Sequence, residues 1–467
     1  MQPDIGIAMA FQAVAVRDLE AAQPDMIAVL EFVHVIAGGG AHIAARAHQA
    51  FGQREIFLAG HFDILLFAFD HFQSDMGAFT FFAKGVPMMM DFGSMYSPES
   101  GTGVLHNRVS WDVREGEPKP CPGYGKEGCF YQGYSYFPHT VEPFTEKTEA
   151  TPQGAGIIDH FGSVRSFAST AGADYLMGQV DVKALLTTPY YPATPEALKA
   201  DPNQQRDIKA TDPFAWQRRV LLMKAQTPGE DSYLLVRDDF TAPCPPPTVS
   251  YWLMADELTW EGNRAFAKGQ FGVDMDIVIA QPAKPALSRW QWEHKNWGGE
   301  RQLCLRVTQP EGKPVLALLY PRTPDQPRPA ITTVANGDGV KISAPAEEGG
   351  FTDYAFLAPQ PVKFTEGKVS FTGTAGGIRI SPTRTVLQLS EGGRVSADGL
   401  TLEAPAAATL TIAGKEMTLQ TNGNAQTVLL SGARVAKGVK VNGKRIAAKK
   451  GVVHMLVKAG EQTMTIE

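Results

Sequence analysis

The feature that most constrains the fold is a long series of short, strand-like segments, with no helical periodicity between them, from Asp75 onward. They are rich in β-branched and aromatic residues and are bounded by Pro, Gly and Asp, as strands are. One of them, 273–281, alternates apolar residues with Asp274 and Asp276. Many such segments without helices predict stacked antiparallel sheets. The clearest examples are 218–225, 231–240, 273–281, 302–309 and 314–321.

The pattern changes after about Phe364, where the segments become shorter and Gly, Asn or Asp separates nearly all of them. The pair Asn442-Gly443 lies between two such segments, and an Asn-Gly pair is the strongest short signal for a hairpin. We therefore predict an all-β protein. A large antiparallel two-sheet sandwich covers residues 74–365, and a smaller β-sandwich covers residues 366–467.

Residues 1–73 have a different composition. They contain no Lys, Ser, Thr, Asn, Tyr, Trp or Cys, yet they hold five of the ten histidines. A helical pattern spans Asp18 to Val35, and three glycines follow it. Two hypotheses are open. Residues 1–73 form a small Ala-rich helical segment, or they do not belong to the protein that follows and result from a misassigned start or reading frame. Peptide mapping of natively expressed material distinguishes them.

Composition excludes several classes of partner. Lys and Arg number 43 against 49 Asp and Glu, for a net charge of -6, and they form no basic stripe, so nucleic acid is not expected. No run of 18 apolar residues occurs, so no membrane span is expected, and the first residues lack signal-peptide features. Cys121 and Cys129 are spaced for a loop disulfide in an oxidising compartment, although spacing alone does not fix the pairing.

The best candidate for chemistry is His106, which with Asn107 precedes a strand-like segment ending at Asp112. An imidazole with an unperturbed pKa of about 6.5 donates or accepts a proton near neutral pH. The alternative is a strand-end histidine whose ring is satisfied by a neighbouring carbonyl.

Residues 106–112 resemble the H-N-T-V-x-V-D pattern of the heparinase II/III-like polysaccharide lyases, a family that includes alginate lyases. Other blocks occur in the family's order, and together they cover about residues 75 to 365. Upstream are matches to a D-x-G-x-F strand (75–79), a K/G-G-x-P turn (84–87) and a D-x-G (91–93). Downstream, 163–182 and 218–240 resemble its paired strands, in which R-R-V-x-F leads into a strand ending V-x-D.

The resemblance implies β-elimination on a polysaccharide that contains uronic acid. The reaction needs neutralisation of the uronate carboxylate, a base for the adjacent proton and an acid for the leaving oxygen. His106 suits the first or the second task, and Asn107 orients it or contacts sugar. The family's usual proton shuttle is a tyrosine. We assign it to Tyr134 and expect Tyr131 and Tyr136 to contact substrate, although their alternation also fits a strand with aromatic packing.

No cofactor is required for this chemistry, but some relatives hold a structural divalent metal near the histidine. Asp112 and His160 are the candidate ligands here, for zinc or calcium. The position two after the histidine, a ligand in some relatives, is Arg108 in this chain. That departure favours the alternative in which Asp112 simply ends its strand.

Three tryptophans, Trp290, Trp292 and Trp297, offer stacking faces for sugar rings. Because Trp290 and Trp292 share one face of a strand, packing inside the protein is the favoured interpretation.

Family members carry an N-terminal helical toroid that supplies further active-site residues, and only 73 dissimilar residues precede this region. We therefore expect a lyase that is truncated and weakly active alone, with an acidic polysaccharide as its partner. By the resemblance it is periplasmic or secreted. The alternatives are a non-catalytic carbohydrate-binding β-sandwich and a structural β protein.

Overall fold

The computed structural model describes the residues in the following ranges: 30–37, 40–47, 56–61, 77–90, 106–112, 119–120, 135–136, 140–144, 162–187, 208–226, 230–244, 246–294, 300–310, 312–345, 350–423 and 425–466. Within these ranges the chain is almost entirely strand, with short 3-10 turns at Ala335–Gly337 and Ala433–Val435 and no α-helix. The predicted all-β fold is confirmed. No helix among these residues is long and apolar enough to cross a membrane.

Eighteen of the described strands form one hydrogen-bonded network, and their pairings are antiparallel. They are β1 (Leu30–Ala37), β2 (Gly40–Ala47), β3 (Ile56–His61), β4 (Ala78–Ala83), β5 (Val86–Met89), β6 (Val109–Asp112), β9 (Thr140–Phe144), β10 (Gly162–Ser169), β11 (Ala173–Thr187), β12 (Ile208–Met223), β13 (Tyr233–Phe240), β14 (Thr248–Leu253), β15 (Ala255–Glu261), β16 (Arg264–Gly269), β17 (Asp274–Gln281), β18 (Ala286–His294), β19 (Glu300–Thr308) and β20 (Val315–Arg322). Strands β7 (Lys119–Pro120) and β8 (Ser135–Tyr136) pair separately.

The main core lies between two layers of this network. One layer contains β4, β5, β14 and β19, and the other contains β12, β13, β20 and β17. Their apolar side chains form one buried cluster that includes Phe81, Tyr251, Leu305, Val236 and Ile277. Each layer buries the face that its alternating pattern makes apolar, because removal of that surface from water is the dominant stabilising term.

Strand β17 has the predicted alternation, and Arg322 pairs with its acidic residues. Its apolar residues enter the core as expected, and the opposite face carries Asp274 and Asp276. That face is not simply solvated, because Arg322 approaches the Asp274 carboxylate at 3.4 Å and the Asp276 carboxylate at 2.7 Å. The two acids are therefore ion-paired across neighbouring strands.

Fourteen strands in the second half form another antiparallel network. They are β21 (Ala330–Val334), β22 (Gly339–Ser343), β23 (Thr352–Glu366), β24 (Val369–Ile380), β25 (Thr385–Leu389), β26 (Gly393–Ala397), β27 (Leu400–Ala404), β28 (Ala408–Ala413), β29 (Glu416–Thr421), β30 (Gln426–Ser431), β31 (Val439–Val441), β32 (Lys444–Ile446), β33 (Val452–Val457) and β34 (Gly460–Ile466). The predicted hairpin joins β31 to β32, with positive φ at Asn442 (47°) and Gly443 (80°) as a primed turn requires.

Strand β24 contributes to two layers of the second network. It pairs with β26 through residues 370–372 and with β25 through residues 376–380. A separate core cluster lies inside this half. The predicted boundary at 365/366 falls within β23, which pairs with β24 on both sides of it, whereas the change from one network to the other occurs between β20 and β21.

A buried ion cluster joins the two halves. The guanidinium of Arg379 on β24 donates to both Asp353 carboxylate oxygens, at 2.9 Å and 2.6 Å, and to the Asp231 backbone oxygen at 2.8 Å. It also approaches the Glu230 carboxylate at 3.2 Å. Tyr233 donates to Asp353 at 2.9 Å, so groups before and within β13 contact β23 and β24 directly.

The helical prediction for residues 18–35 is wrong for its last six residues, because 30–37 form β1, paired with β2 from Leu30↔Ala47 to Ala37↔Gly40. The sequence FVHVI at 32–36 is rich in β-branched residues, and strand propensity prevails there over the helical spacing. Residues 18–29 lie outside the described part of the chain.

Candidate functional site

The segment that holds His106 is anchored by backbone hydrogen bonds on both sides. Arg108 N donates to His106 O at 2.8 Å, which forms a tight turn, and Ser250 N on β14 donates to Arg108 O at 3.0 Å. Strand β6 follows and pairs with β14 through Val109↔Val249. The turn is fully buried at His106, Asn107 and Arg108, so the chain enters the core at this turn.

Asn107 connects two strands through its side chain. Its Nδ2 donates to Phe79 O on β4 at 2.9 Å, and its Oδ1 accepts from Trp252 N on β14 at 2.6 Å. Both ends of the carboxamide are therefore used inside the protein, as a buried amide requires. These bonds join β4 to β14, and orientation of the neighbouring histidine by Asn107 stays a prediction. Contact with sugar stays a prediction.

Arg218 on β12 makes hydrogen bonds to several segments of the site. Its Nη1 donates to Gly77 O at 2.7 Å and also to Asn107 O. Its other nitrogens form a two-point ion pair with Asp238, at 2.8 Å from Nε to Oδ1 and 2.9 Å from Nη2 to Oδ2. Trp216 Nε1 donates to the same carboxylate at 2.7 Å. A bidentate pair of this kind fixes both position and orientation.

Aromatic rings line the space between these charges. The Arg108 and Arg218 guanidinium carbons lie 5.4 Å and 5.1 Å from the centroid of the Trp216 ring, and Arg218 lies 5.5 Å from that of Phe79. Trp111 packs edge-on against Trp216 at 6.5 Å. The charge of Arg218 is balanced by Asp238, so Arg108 adds the further positive charge beside the Trp216 ring.

Tyr251 on β14 is fully buried near Arg218. Burial raises the pKa of its phenol, the negative charge of Asp238 raises that pKa further, and the positive charge of Arg218 opposes the rise. Tyr251 is therefore held neutral and is a poor base. Sequence analysis singled out none of Trp216, Arg218, Asp238 and Tyr251. Arg218 and Asp238 lie in the R-R-V-x-F and V-x-D segments, but neither pattern indicates that the two side chains pair.

A second connection involves the K-G-x-P turn. Lys84 adopts a φ of 53° in this turn, and its Nζ lies 2.6 Å from Asp231 Oδ1. The other oxygen of Asp231 accepts from Tyr320 at 2.8 Å. A third motif block is thus bonded to the region that contains the paired strands.

The predicted tyrosines are only in part within the described residues. Tyr136 lies on β8, where its backbone pairs with Lys119, and Tyr131 and Tyr134 lie outside the described ranges. Their assignment as proton shuttle and substrate contacts stays a prediction. The disulfide prediction for Cys121 and Cys129 also falls outside these ranges.

The metal prediction is also untested. Asp112 ends β6, opposite Thr140 on β9, as the strand-end interpretation expects, and His160 lies outside the described ranges. Arg108 occupies the position of a ligand in some relatives, and its Nε donates to Val109 O at 3.0 Å. A positively charged guanidinium therefore lies where a metal ligand would be needed. The described residues contain no cluster of three or more His, Cys, Asp or Glu suited to a metal.

Trp290 has the packing role that was favoured for it. It is buried, and the Arg306 guanidinium lies 3.7 Å from its ring centroid. Burial lowers the pKa of Arg306 to about 9. Trp292 follows on β18 opposite Gln302, and Trp297 lies outside the described ranges.

Comparison with known proteins gives matches among solved structures alone. No family model and no curated protein matches the chain. It is similar to the heparan sulfate lyase HepC from Pedobacter heparinus, with 11% identity and a TM-score of 0.41 over 73% of this chain and 46% of that one. The chain is also similar to a gene product described as heparinase III, with 12% identity and a TM-score of 0.41 over 74% of this chain and 45% of that one. For another heparinase III structure the identity is 7% and the TM-score is 0.37, over 80% of this chain and 42% of that one. The chain spans less than half the length of these proteins, and likeness at this level carries no argument about activity.

Proposed function

We propose that this chain is the sheet portion of a polysaccharide lyase that cleaves an acidic, uronate-containing polysaccharide by β-elimination. One observation carries the proposal. Three sequence blocks that resemble the heparinase II/III-like lyases, at Gly77–Phe79, His106–Asn107 and Arg218, are hydrogen-bonded to one another. Their convergence supports one common site because a chance match of short motifs gives no reason for the blocks to meet in space.

In the proposed reaction, a base removes the proton from the carbon next to the uronate carboxyl group. The electron pair of that C–H bond forms a carbon–carbon double bond, and the glycosidic C–O bond breaks at the neighbouring carbon. The leaving oxygen takes a proton from an acid. His106 is the proposed base or the group that neutralises the carboxylate, and either role requires that substrate binding expose its ring, which is fully buried in this structure. Tyr134 is the proposed shuttle. Asn107 and Arg218 position the histidine through the backbone that they bind.

Catalysis by such a site depends on several groups acting together. A toroid domain, which the sequence resemblance associates with this family, would supply the facing groups. Loss of part of such a constellation costs most of the rate, so the facing groups matter as much as His106. A metal held by Asp112 and His160 would stabilise the local fold, and no step of the reaction passes through it. A periplasmic or secreted location belongs to the same proposal.

The test is product analysis after incubation with alginate, a glycosaminoglycan and a neutral glucan. A lyase yields chains that end in an ultraviolet-absorbing unsaturated uronate and weigh one water less than hydrolysis products. The variant His106→Ala should abolish these products. The control is His454→Ala, because His454 is an exposed histidine on β33 in the other half of the protein.

Two outcomes would contradict the proposal. Equal activity of His106→Ala and the unaltered protein would remove His106 from the mechanism. Tight binding of acidic polysaccharide with no unsaturated product, even with excess protein, would favour the carbohydrate-binding alternative.

A further inference from the structure

A cleft of about 390 Å³ opens between the two layers of the second network, remote in sequence from His106. Lys368, just before β24, and Asp398, just after β26, line it from one layer. The turn between β24 and β25, including Thr383 and Arg384, and Ile412 on β28 line it from the other. Arg434, from the 3-10 turn at Ala433–Val435, completes the wall. A concave space of this size holds a small ligand or part of a chain.

The charge of this cleft is opposite in sign to that of the whole chain. Three cations, Lys368, Arg384 and Arg434, line it against one carboxylate, Asp398, whereas the chain has a net charge of -6. Clustered cations in a concave wall focus the electric field and concentrate anions there.

Two of these cations are held in place by the protein. Arg434 forms an ion pair with Asp398, and its Nη2 donates to Gly414 O at 2.6 Å. Arg384 approaches the buried Glu230 carboxylate at 2.5 Å. Because their partners fix these guanidinium groups, an anion that binds between them need not pay the full entropy of ordering two long side chains.

The same wall retains unused capacity for hydrogen bonds. Lys368 is exposed and forms no ion pair with any of the described residues. The Lys368 ammonium therefore keeps its three donors for a ligand oxygen.

The remaining wall suits a sugar. Pro382 is exposed and gives the cleft an apolar surface, and Thr383 is exposed and carries a hydroxyl group. A sugar ring offers apolar C–H faces and hydroxyl groups at its edge. The combination of an exposed proline, a hydroxyl group and cations therefore matches a sugar that carries a carboxylate or sulfate group.

We propose that this cleft is a binding site for an acidic sugar residue of a polysaccharide, separate from the site at His106. The preference for an anion follows from the charges of the cleft, whereas the choice of an acidic sugar over a free inorganic anion rests on the proposed function. Such a site would hold the polymer to the second half of the protein and does not take part in bond cleavage.

The experiment measures binding by calorimetry in the His106→Ala background, so that no substrate is consumed. The probes are an alginate oligosaccharide, a neutral gluco-oligosaccharide of the same length and inorganic sulfate. In Lys368→Glu a cation of the cleft becomes an anion. Lys444→Glu is the matched control, because Lys444 is an exposed lysine in the β31–β32 hairpin outside the cleft.

The expected result is that Lys368→Glu weakens binding of the alginate oligosaccharide about fivefold or more, while Lys444→Glu leaves it unchanged. The neutral oligosaccharide should bind much more weakly to all variants. Equal loss in both charge variants would show general electrostatic attraction and overturn the proposal, as would no loss in Lys368→Glu. Sulfate binding that depends on Lys368 without any oligosaccharide binding would overturn the sugar assignment.

The outcome is separable from that of the proposed function. The Lys368→Glu substitution in the protein with His106 intact should keep formation of unsaturated product at saturating polysaccharide. Absence of lyase activity combined with Lys368-dependent binding would contradict the lyase alone. Lyase activity with no Lys368-dependent binding would contradict the cleft alone.

Discussion

Arg218 Nη1 donates a hydrogen bond to the backbone oxygen of Asn107, although 111 residues separate them in sequence. The same nitrogen also binds Gly77 O, so one guanidinium corner holds the two segments that flank the candidate site. The orientation of His106 therefore depends on a strand that follows it by more than a hundred residues.

The ion pair between Arg218 and Asp238 should be essential to stability. Both groups are almost fully buried, and Asp238→Asn removes the charge that compensates the guanidinium. Breaking one partner of a buried pair costs about 3–5 kcal/mol, so we expect a loss of this order in the free energy of unfolding in urea. Asp256→Asn, at an exposed position, is the control and should be neutral. Equal midpoints for the two variants would contradict the assignment.

The side chain of Asn107 should stabilise the fold by joining β4 to β14. Asn107→Ala leaves Phe79 O and Trp252 N without this partner, and we expect a loss of about 2–3 kcal/mol in the free energy of unfolding. Asn263→Ala offers a comparison, because Asn263 is partly buried and donates one bond, to Ile279 O at 2.8 Å. A smaller loss for Asn107→Ala than for Asn263→Ala would refute the bridging role.

Gly77 should tolerate no side chain. Its φ is +72°, and a Cβ there would lie 2.6 Å from a ring carbon of Trp216. Gly262 has a φ of +59° with open space around the same position, so Gly262→Ala measures backbone strain alone. We expect Gly77→Ala to be less stable than Gly262→Ala by about 1–3 kcal/mol, from overpacking against the ring. Any lyase activity should also fall, since Gly77 O helps to hold Arg218.

A pH effect should come from Glu366 and Lys341, which are hydrogen-bonded on β23 and β22. The hydrogen bond with Lys341 lowers the pKa of Glu366. The pair therefore stabilises the protein above the ordinary carboxyl pKa, and this contribution disappears as pH falls through the lowered pKa.

Because Glu366 is well exposed, solvent screening limits the contribution to about 0.5 kcal/mol. Glu366→Gln should lower stability slightly at neutral pH and leave it unchanged in acid. The measurement is the free energy of unfolding of the unaltered protein and of Glu366→Gln, from neutral pH down to a pH below the lowered pKa of Glu366. A difference that persists in acid would show that the side-chain change acts by another route.

Local sequence patterns predicted the strands well because alternation and turn residues act over a few positions. The β31–β32 hairpin needed only Asn442 and Gly443. For the candidate site, the sequence offered the short motif of His106 and Asn107, and their roles stay predictions. Their dependence on Arg218 and Asp238 was not predictable, because it rests on tertiary contacts between distant strands that no local pattern encodes. The same reason explains why Arg322 was not expected opposite Asp274.

The contacts of Arg379 have a consequence for how this protein can be divided or recombined. A fragment that ends after β20 would leave the Glu230 carboxylate and the Asp231 backbone oxygen without the guanidinium that binds them. A fragment that starts at β21 would keep Arg379 with Asp353 but lose the phenol of Tyr233. The two halves are therefore a matched set, and an exchange between relatives would succeed only where the incoming half brings an arginine to the same place.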